Sequence, residues 1–76
     1  MSFNISAKLL NEFINKPILV KLRNNHTIKG TLQTFDDHMN LVLEKSEDII
    51  SENEVESLGK IILRGDNIFM IAVPST

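Results

Sequence analysis

The stretch His26-Thr27-Ile28-Lys29-Gly30-Thr31-Leu32-Gln33-Thr34-Phe35-Asp36 reads as a strand that cannot run straight. Successive side chains of a strand point to opposite faces, so Ile28, Gly30 and Leu32 share one face. Glycine in mid-strand costs stability unless a sharp bend or a close backbone approach requires it. Phe35 has the opposite parity from Leu32. A bulge or strong bend between them returns both to the core. A small, highly curved antiparallel barrel supplies the reason for both features.

The flanking sequence fits that frame. Ile18 to Arg23 alternates, with Ile18, Val20 and Leu22 on one face and Lys21 and Arg23 on the other. Asn24-Asn25 follows, and Asn tolerates the left-handed conformations of tight hairpin turns. Upstream, Leu9, Leu10, Phe13 and Ile14 form one apolar stripe at helical spacing, predicting a helix over about 6–16. Ser2 or Ser6 caps its start, and Pro17 disfavours helical geometry at Lys16 and ends it. Downstream, Asp37-His38-Met39 is a short loop, and a third strand runs from Leu41 towards Ile50. Residues 51–57 are polar and loop-like, and Leu58 to Arg64 is a fourth strand. Arg64-Gly65-Asp66-Asn67 is a tight turn, and Ile68 to Val73 is a fifth strand stopped by Pro74. The fold class is therefore mainly β, a helix followed by five strands in one domain.

The last two strands lose their alternation. Ile61-Ile62-Leu63 and Ile68-Phe69-Met70-Ile71 are apolar on both faces. Such runs normally have both faces covered, and an open edge of this kind is an aggregation hazard in a monomer. One short helix covers one face at most. Burial under the helix competes with pairing between copies of the chain, and pairing meets both demands.

Composition points the same way. A chain of 76 residues buries only about 60% of its unfolded surface, so it needs an efficient core, a staple or a partner. Cysteine is absent, which excludes disulfides and thiolate-bound metal. His26 and His38 lack metal-ligand spacing, and no cofactor is implied. No apolar run approaches the roughly 20 residues that cross a bilayer. No basic start followed by an apolar stretch opens the chain, so a cytoplasmic location is expected. The net charge of −2 argues against nucleic-acid binding, whose usual footprint is basic. The acid is concentrated, however. Glu44, Glu47, Asp48, Glu52, Glu54 and Glu56 stand against one Lys45, and the remainder is mildly basic.

Catalysis finds little support. There is no cysteine nucleophile, no Gly-x-Ser-x-Gly elbow and no phosphate-cradling glycine loop. Asp36 and Asp37 are adjacent, and strand neighbours point apart, which makes a poor acid–base pair. A small nuclease using Asp36 with magnesium is the weakest reading. Two loops do carry chemistry: Asp36-Asp37-His38-Met39-Asn40 and Arg64-Gly65-Asp66-Asn67. Single-stranded RNA is read by stacking bases on planar side chains and bonding their edges. His38 and Arg64 are planar, and Asn40 offers both a donor and an acceptor, matching the N3–H and O4 of uracil. Taken singly, each loop is as well explained as a turn.

Together they resemble a known pattern. Gly30-Thr31-Leu32-Gln33-Thr34-Phe35-Asp36-Asp37-His38-Met39-Asn40-Leu41-Val42-Leu43 resembles the first Sm motif. Ile61-Ile62-Leu63-Arg64-Gly65-Asp66-Asn67-Ile68 resembles the second, in the right order and spacing. The chain is similar to Sm-like (LSm) proteins, most of all the archaeal branch, over nearly its whole length. The resemblance implies one Sm domain over 1–76, with motifs at about 18–50 and 58–73 around a variable loop at about 51–57. It implies an N-terminal helix on a five-stranded, strongly bent, SH3-like antiparallel barrel. It implies homomeric rings of seven, or of six, joined by the fourth strand of one copy and the fifth of the next. Ile61, Ile62, Leu63, Ile68, Phe69, Met70 and Ile71 would form that joint. At the pore, His38 and Arg64 would stack on a uracil and Asn40 would bond its edge. Asp36 would hold Asn40 or the loop, with Met39 beside them, and the Gly65–Asp66 backbone would position the base. Phe35, where tyrosine is common, keeps the packing. The implied partners are uridine-rich single-stranded RNA, further copies of the chain and other RNA-processing proteins, with no membrane. The implied role is a scaffold or chaperone, not an enzyme. The acidic total charge motivates the alternative, a structural ring whose pocket is unused.

Overall fold

The computed structural model describes residues 7–74. The elements are α1 (Ala7–Asn11), β1 (Pro17–Leu22), β2 (Thr27–Phe35), β3 (Leu41–Ser51), β4 (Glu54–Leu63), a 3₁₀ turn (Gly65–Asn67) and β5 (Ile68–Ala72). The strands form one antiparallel sheet in the order β4-β3-β2-β1-β5, so β4 and β5 are its two edges.

The helix is shorter than its apolar stripe predicts. After Asn11, the N–H groups of Glu12, Phe13 and Ile14 bond to carbonyls three residues back, a tighter winding than the α-helix. Asn15 then takes a left-handed φ of 70° and its N–H donates to the Leu32 carbonyl at 2.7 Å. Leu32 returns a bond to the Lys16 carbonyl at 3.0 Å. Pairing with β2 thus competes with helix continuation and wins. The candidate caps Ser2 and Ser6 lie outside the described residues. Leu10 is fully buried, and Phe13 and Ile14 pack on the core beside it.

The core is Leu10, Ile18, Val20, Ile28, Leu32, Leu41, Leu43 and Ile68. The bend expected in β2 is present. Its pairing with β3 shifts register between Lys29 and Thr31 and again between Leu32 and Thr34. A Cβ on Gly30 would sit 3.1 Å from the Cβ atoms of both Leu43 and Ser46, so the approach of β3 needs glycine. The second shift turns Phe35 back towards the core, against which it packs.

Residues 51–57 are not a loop. β3 and β4 continue as a long hairpin joined only by Glu52-Asn53, with Ile49 opposite Val55 and Asp48 opposite Glu56. This half of β4 is exposed throughout, so its ladder with β3 holds it without an apolar face. Alternation, the signal that betrays a half-buried strand, is therefore missing. The hairpin also brings Asp48 Oδ2 to 2.7 Å from His26 Nδ1, a pairing the sequence did not suggest.

In β5 a bulge settles which residues face inward. Lys21 pairs with Met70 and Leu22 with Ile68, which leaves Phe69 as the extra residue. Ile68 is fully buried and Ile71 packs on the core, whereas Phe69 and Met70 are about half exposed. In β4, Ile61 and Leu63 pack on the core and Ile62 is 70% exposed. Of the residues expected at a subunit joint, Ile68 belongs wholly to the chain's own core, and Ile61, Leu63 and Ile71 partly do. Ile62, Phe69 and Met70 are the apolar groups left outward.

Candidate nucleic-acid interface

The loop after β2 is organised by one carboxylate. Asp36 Oδ1 accepts the backbone N–H groups of His38 at 2.9 Å and Asn40 at 3.0 Å. Its Oδ2 accepts the Asn40 side-chain amide at 2.9 Å. The Met39 N–H donates to the Asp36 carbonyl, and the Asp36 N–H donates to the Asn40 carbonyl. Met39 sits at the left-handed corner, with φ 62°, and its side chain packs on the core. It anchors the loop from below.

The Asn40 amide holds the Asp36 carboxyl below the usual carboxylate range. The backbone N–H groups of Asn40 and His38 add to this, and the charge of His38 contributes least. Each prefers the charged acceptor, and slight desolvation opposes them.

Asn40 links this loop to the next one. Its Oδ1 accepts the Gly65 N–H at 2.8 Å. A carboxylate only accepts and a backbone N–H only donates, so these two partners fix which way the amide faces. Among the described residues, one N–H and one lone pair of the Asn40 amide stay uncommitted. Gly65 is buried against the His38–Met39 backbone, and a Cβ there would collide with the His38 carbonyl oxygen. Only glycine lets the two loops close to this distance.

Beside the clamp lies an open cleft of about 530 Å³, lined by Thr34, Phe35, Asp36, Asn40, Val42, Ile62 and Arg64. Its floor is a cross-strand row, since Thr34 pairs with Val42 and Val42 with Ile62. Arg64 has its Nε 3.6 Å from Asp66 Oδ1, and its side chain is mostly exposed. The Asp66 carbonyl accepts from Arg23 Nε at 3.1 Å. The Gly65 N–H and the Asp66 carbonyl thus join neighbouring loops. His38 is exposed on the first loop, outside the lining of the cleft. The structure therefore brings Asp36, Asn40 and Arg64 together and leaves His38 at the loop's tip. Thr34, Val42 and Ile62 were not anticipated. The signal was present, because Val42 and Ile62 are the middle, outward members of Leu41-Val42-Leu43 and Ile61-Ile62-Leu63.

A helix-led, strongly bent barrel of five antiparallel strands, whose loops after β2 and β4 interlock beside a cleft, defines the Sm-like class. The LSM domain family matches residues 8–73, and the chain belongs to this family. It is 34% identical to an Sm-like protein of Methanococcoides burtonii, covering 91% of this chain and 96% of that one. It is 36% identical to another from Aeropyrum pernix, over 87% and 84% of the two chains. Among solved structures, the SmAP1 heptamer of P. aerophilum superposes with a TM-score of 0.85 at 41% identity, covering 97% of this chain and 100% of that one. The Pyrococcus abyssii Sm protein, in complex with a uridine heptamer, gives 0.81 at 33% identity, over 91% and 97%.

Proposed function

We propose that copies of this chain close into a ring and hold uridine-rich single-stranded RNA at the pore. The ring acts as a scaffold or chaperone in RNA processing or turnover, with no chemistry on the RNA. The observation that carries this reading is the Asn40 amide, fixed between Asp36 and Gly65 beside Arg64. Its uncommitted donor and acceptor complement O4 and N3–H of uracil. His38, exposed at the loop tip, closes over the base that Arg64 supports.

Ring closure follows from the edges. Among the described residues, β4 and β5 are unpaired on their outer sides, and they carry the outward Ile62, Phe69 and Met70. Joining them between copies pairs the free backbone and covers these side chains. The P. aerophilum heptamer supports seven copies, and the uridine complex of the Pyrococcus protein supports the base. Repetition offsets the acidic net charge, since each copy sets Arg64 at the same pore and linked weak sites add through effective concentration.

Titration of oligo-uridine and oligo-adenosine against wild type and Asn40→Ala, with native mass spectrometry of the same samples, tests this. A ring that prefers uridine and loses the preference with Asn40 is expected. A ring that binds neither strand would leave the structural reading, which the net charge of −2 favours.

A further inference from the structure

We propose that the base cleft is shared between two copies of the chain, with Met70 of the next copy in the ring as its missing wall. The inference deepens the uridine-binding reading above and rests on it.

The cleft of one copy is incomplete. Its floor is the outward row Thr34, Val42 and Ile62, and that row runs out at β4, an edge of the sheet. Ile62 is 70% exposed although it lines the cleft, so the floor is open on that side. Among the described residues, none of β1 or β5 lines it.

The ring brings β5 of the next copy alongside β4, and that strand continues the row. Register follows from the faces, because a one-residue slip would set apolar side chains on the wrong side of the joined sheet. In β4, Ile61 and Leu63 pack on the core and Ile62 faces out. In β5, Ile71 packs on the core, while Met70, paired with the exposed Lys21, faces out. Antiparallel pairing that sets inward against inward, and covers the two exposed side chains with each other, places Ile71 across from Ile61 and Met70 across from Ile62. Directly opposed side chains have Cβ atoms about 4.5–5.5 Å apart, so Met70 stands where the cleft is open. Its unbranched thioether adapts to irregular gaps and makes favourable contact with aromatic rings.

Two consequences separate this site from a cleft that one copy builds alone. Separate copies hold Asp36, Asn40 and Arg64 but lack the wall, so they bind a uridine nucleotide weakly and the closed ring binds it well. By linkage the nucleotide stabilises the closed ring, since a ligand shifts an equilibrium only by its preference for one state. The wall also limits the width of the cleft, which favours a pyrimidine over a purine.

The test titrates uridine monophosphate and adenosine monophosphate, which report single clefts, against wild type, Met70→Ala, Asn40→Ala and rings reassembled from an equal mixture of the two variants. Sedimentation reports the assembly of each sample. Met70→Ala rings are expected to bind the uridine nucleotide about tenfold more weakly than wild type and to discriminate less against the adenosine one. Mixed rings are expected to regain sites of wild-type affinity, at joints where Asn40 of a Met70→Ala copy meets Met70 of an Asn40→Ala copy. If Met70→Ala opens the ring, the separate copies are expected to show the same loss with Asn40 and Arg64 intact. Wild-type affinity for the uridine nucleotide in Met70→Ala, whether in rings or as separate copies, overturns the shared wall while sparing the base cleft. Mixed rings without wild-type sites overturn it too. A wild-type ring that binds neither nucleotide removes the base-cleft reading and the shared wall with it.

Discussion

Gly65→Ala probes the joint between the two site loops. The glycine does not adopt a left-handed φ, so alanine meets no backbone penalty of that kind. The cost is steric. The new methyl would overlap the His38 carbonyl oxygen and lie 3.0 Å from the Met39 carbonyl carbon and 3.1 Å from that of His38. All three are backbone atoms, which cannot swing aside as a side chain does. The loops must part, and the Gly65 N–H bond to Asn40 Oδ1 goes with them. Overpacking of a buried site costs about 1–3 kcal/mol and a broken hydrogen bond about 0.5–1.5 kcal/mol, which together come to roughly 2–4 kcal/mol. In a domain of this size each kcal/mol moves Tm by about 4–8 °C, so a fall on the order of 10–30 °C is expected. The assay is thermal unfolding at a fixed protein concentration, because assembly makes Tm concentration-dependent. Oligo-uridine titration of the same samples should show weakened binding, since Asn40 loses one of its two fixing partners. A Tm within about 2 °C of wild type, with binding intact, would falsify the close-approach argument.

Three further outcomes follow from the same geometry. Met70→Asp should leave a folded protomer that no longer assembles, whereas Ile71→Asp places a carboxylate against the core and should unfold it, at a cost of several kcal/mol. Sedimentation and circular dichroism separate the two, and the reverse pattern would contradict the position of the bulge. Arg64→Ala should weaken uridine binding about tenfold while the assembly stays intact, because the side chain is exposed at the cleft and packs on nothing in the core. Loss of the oligomer on native mass spectrometry would show that Arg64 serves the joint instead. The Asp36 carboxyl, held low chiefly by the Asn40 amide, supports the loop fully above its unfolded pKa of about 3.9. That support disappears only as pH falls through the lower folded value. The Asn40 side-chain amide signal should therefore hold steady on acidification to about pH 4, and Asp36→Asn should shift it at every pH; a wild-type transition near pH 5 contradicts the assignment.

The sequence alone carried the class of fold, because most of its strands are half buried. Ile18, Val20, Ile28, Leu32, Leu41 and Leu43 all face the core as their parity predicts. Gly30 and Phe35 together announced the bend in β2, since each breaks a local rule in a way that only curvature repairs. The two loop motifs flagged residues that the fold brings together, since Asp36, Asn40 and Arg64 line one cleft. Where burial stops, so does that signal. The outer half of β4 rests on a ladder of backbone bonds to which every residue type contributes alike, and it read as a loop.

Tertiary contacts decided the rest. The helix stops early because Asn15 and Lys16 bond to Leu32, a partner distant in sequence that no helical periodicity registers. Which face of β5 turns inward depended on a single extra residue opposite Lys21 and Leu22, and a one-residue slip reverses every side chain after it. That Met39, between His38 and Asn40, also packs on the core follows from its left-handed φ, which no side-chain pattern records. Side-chain pattern reports burial along one strand. Register, bulges and loop-to-loop hydrogen bonds belong to pairs of segments, and they exist only once the chain has brought those segments together.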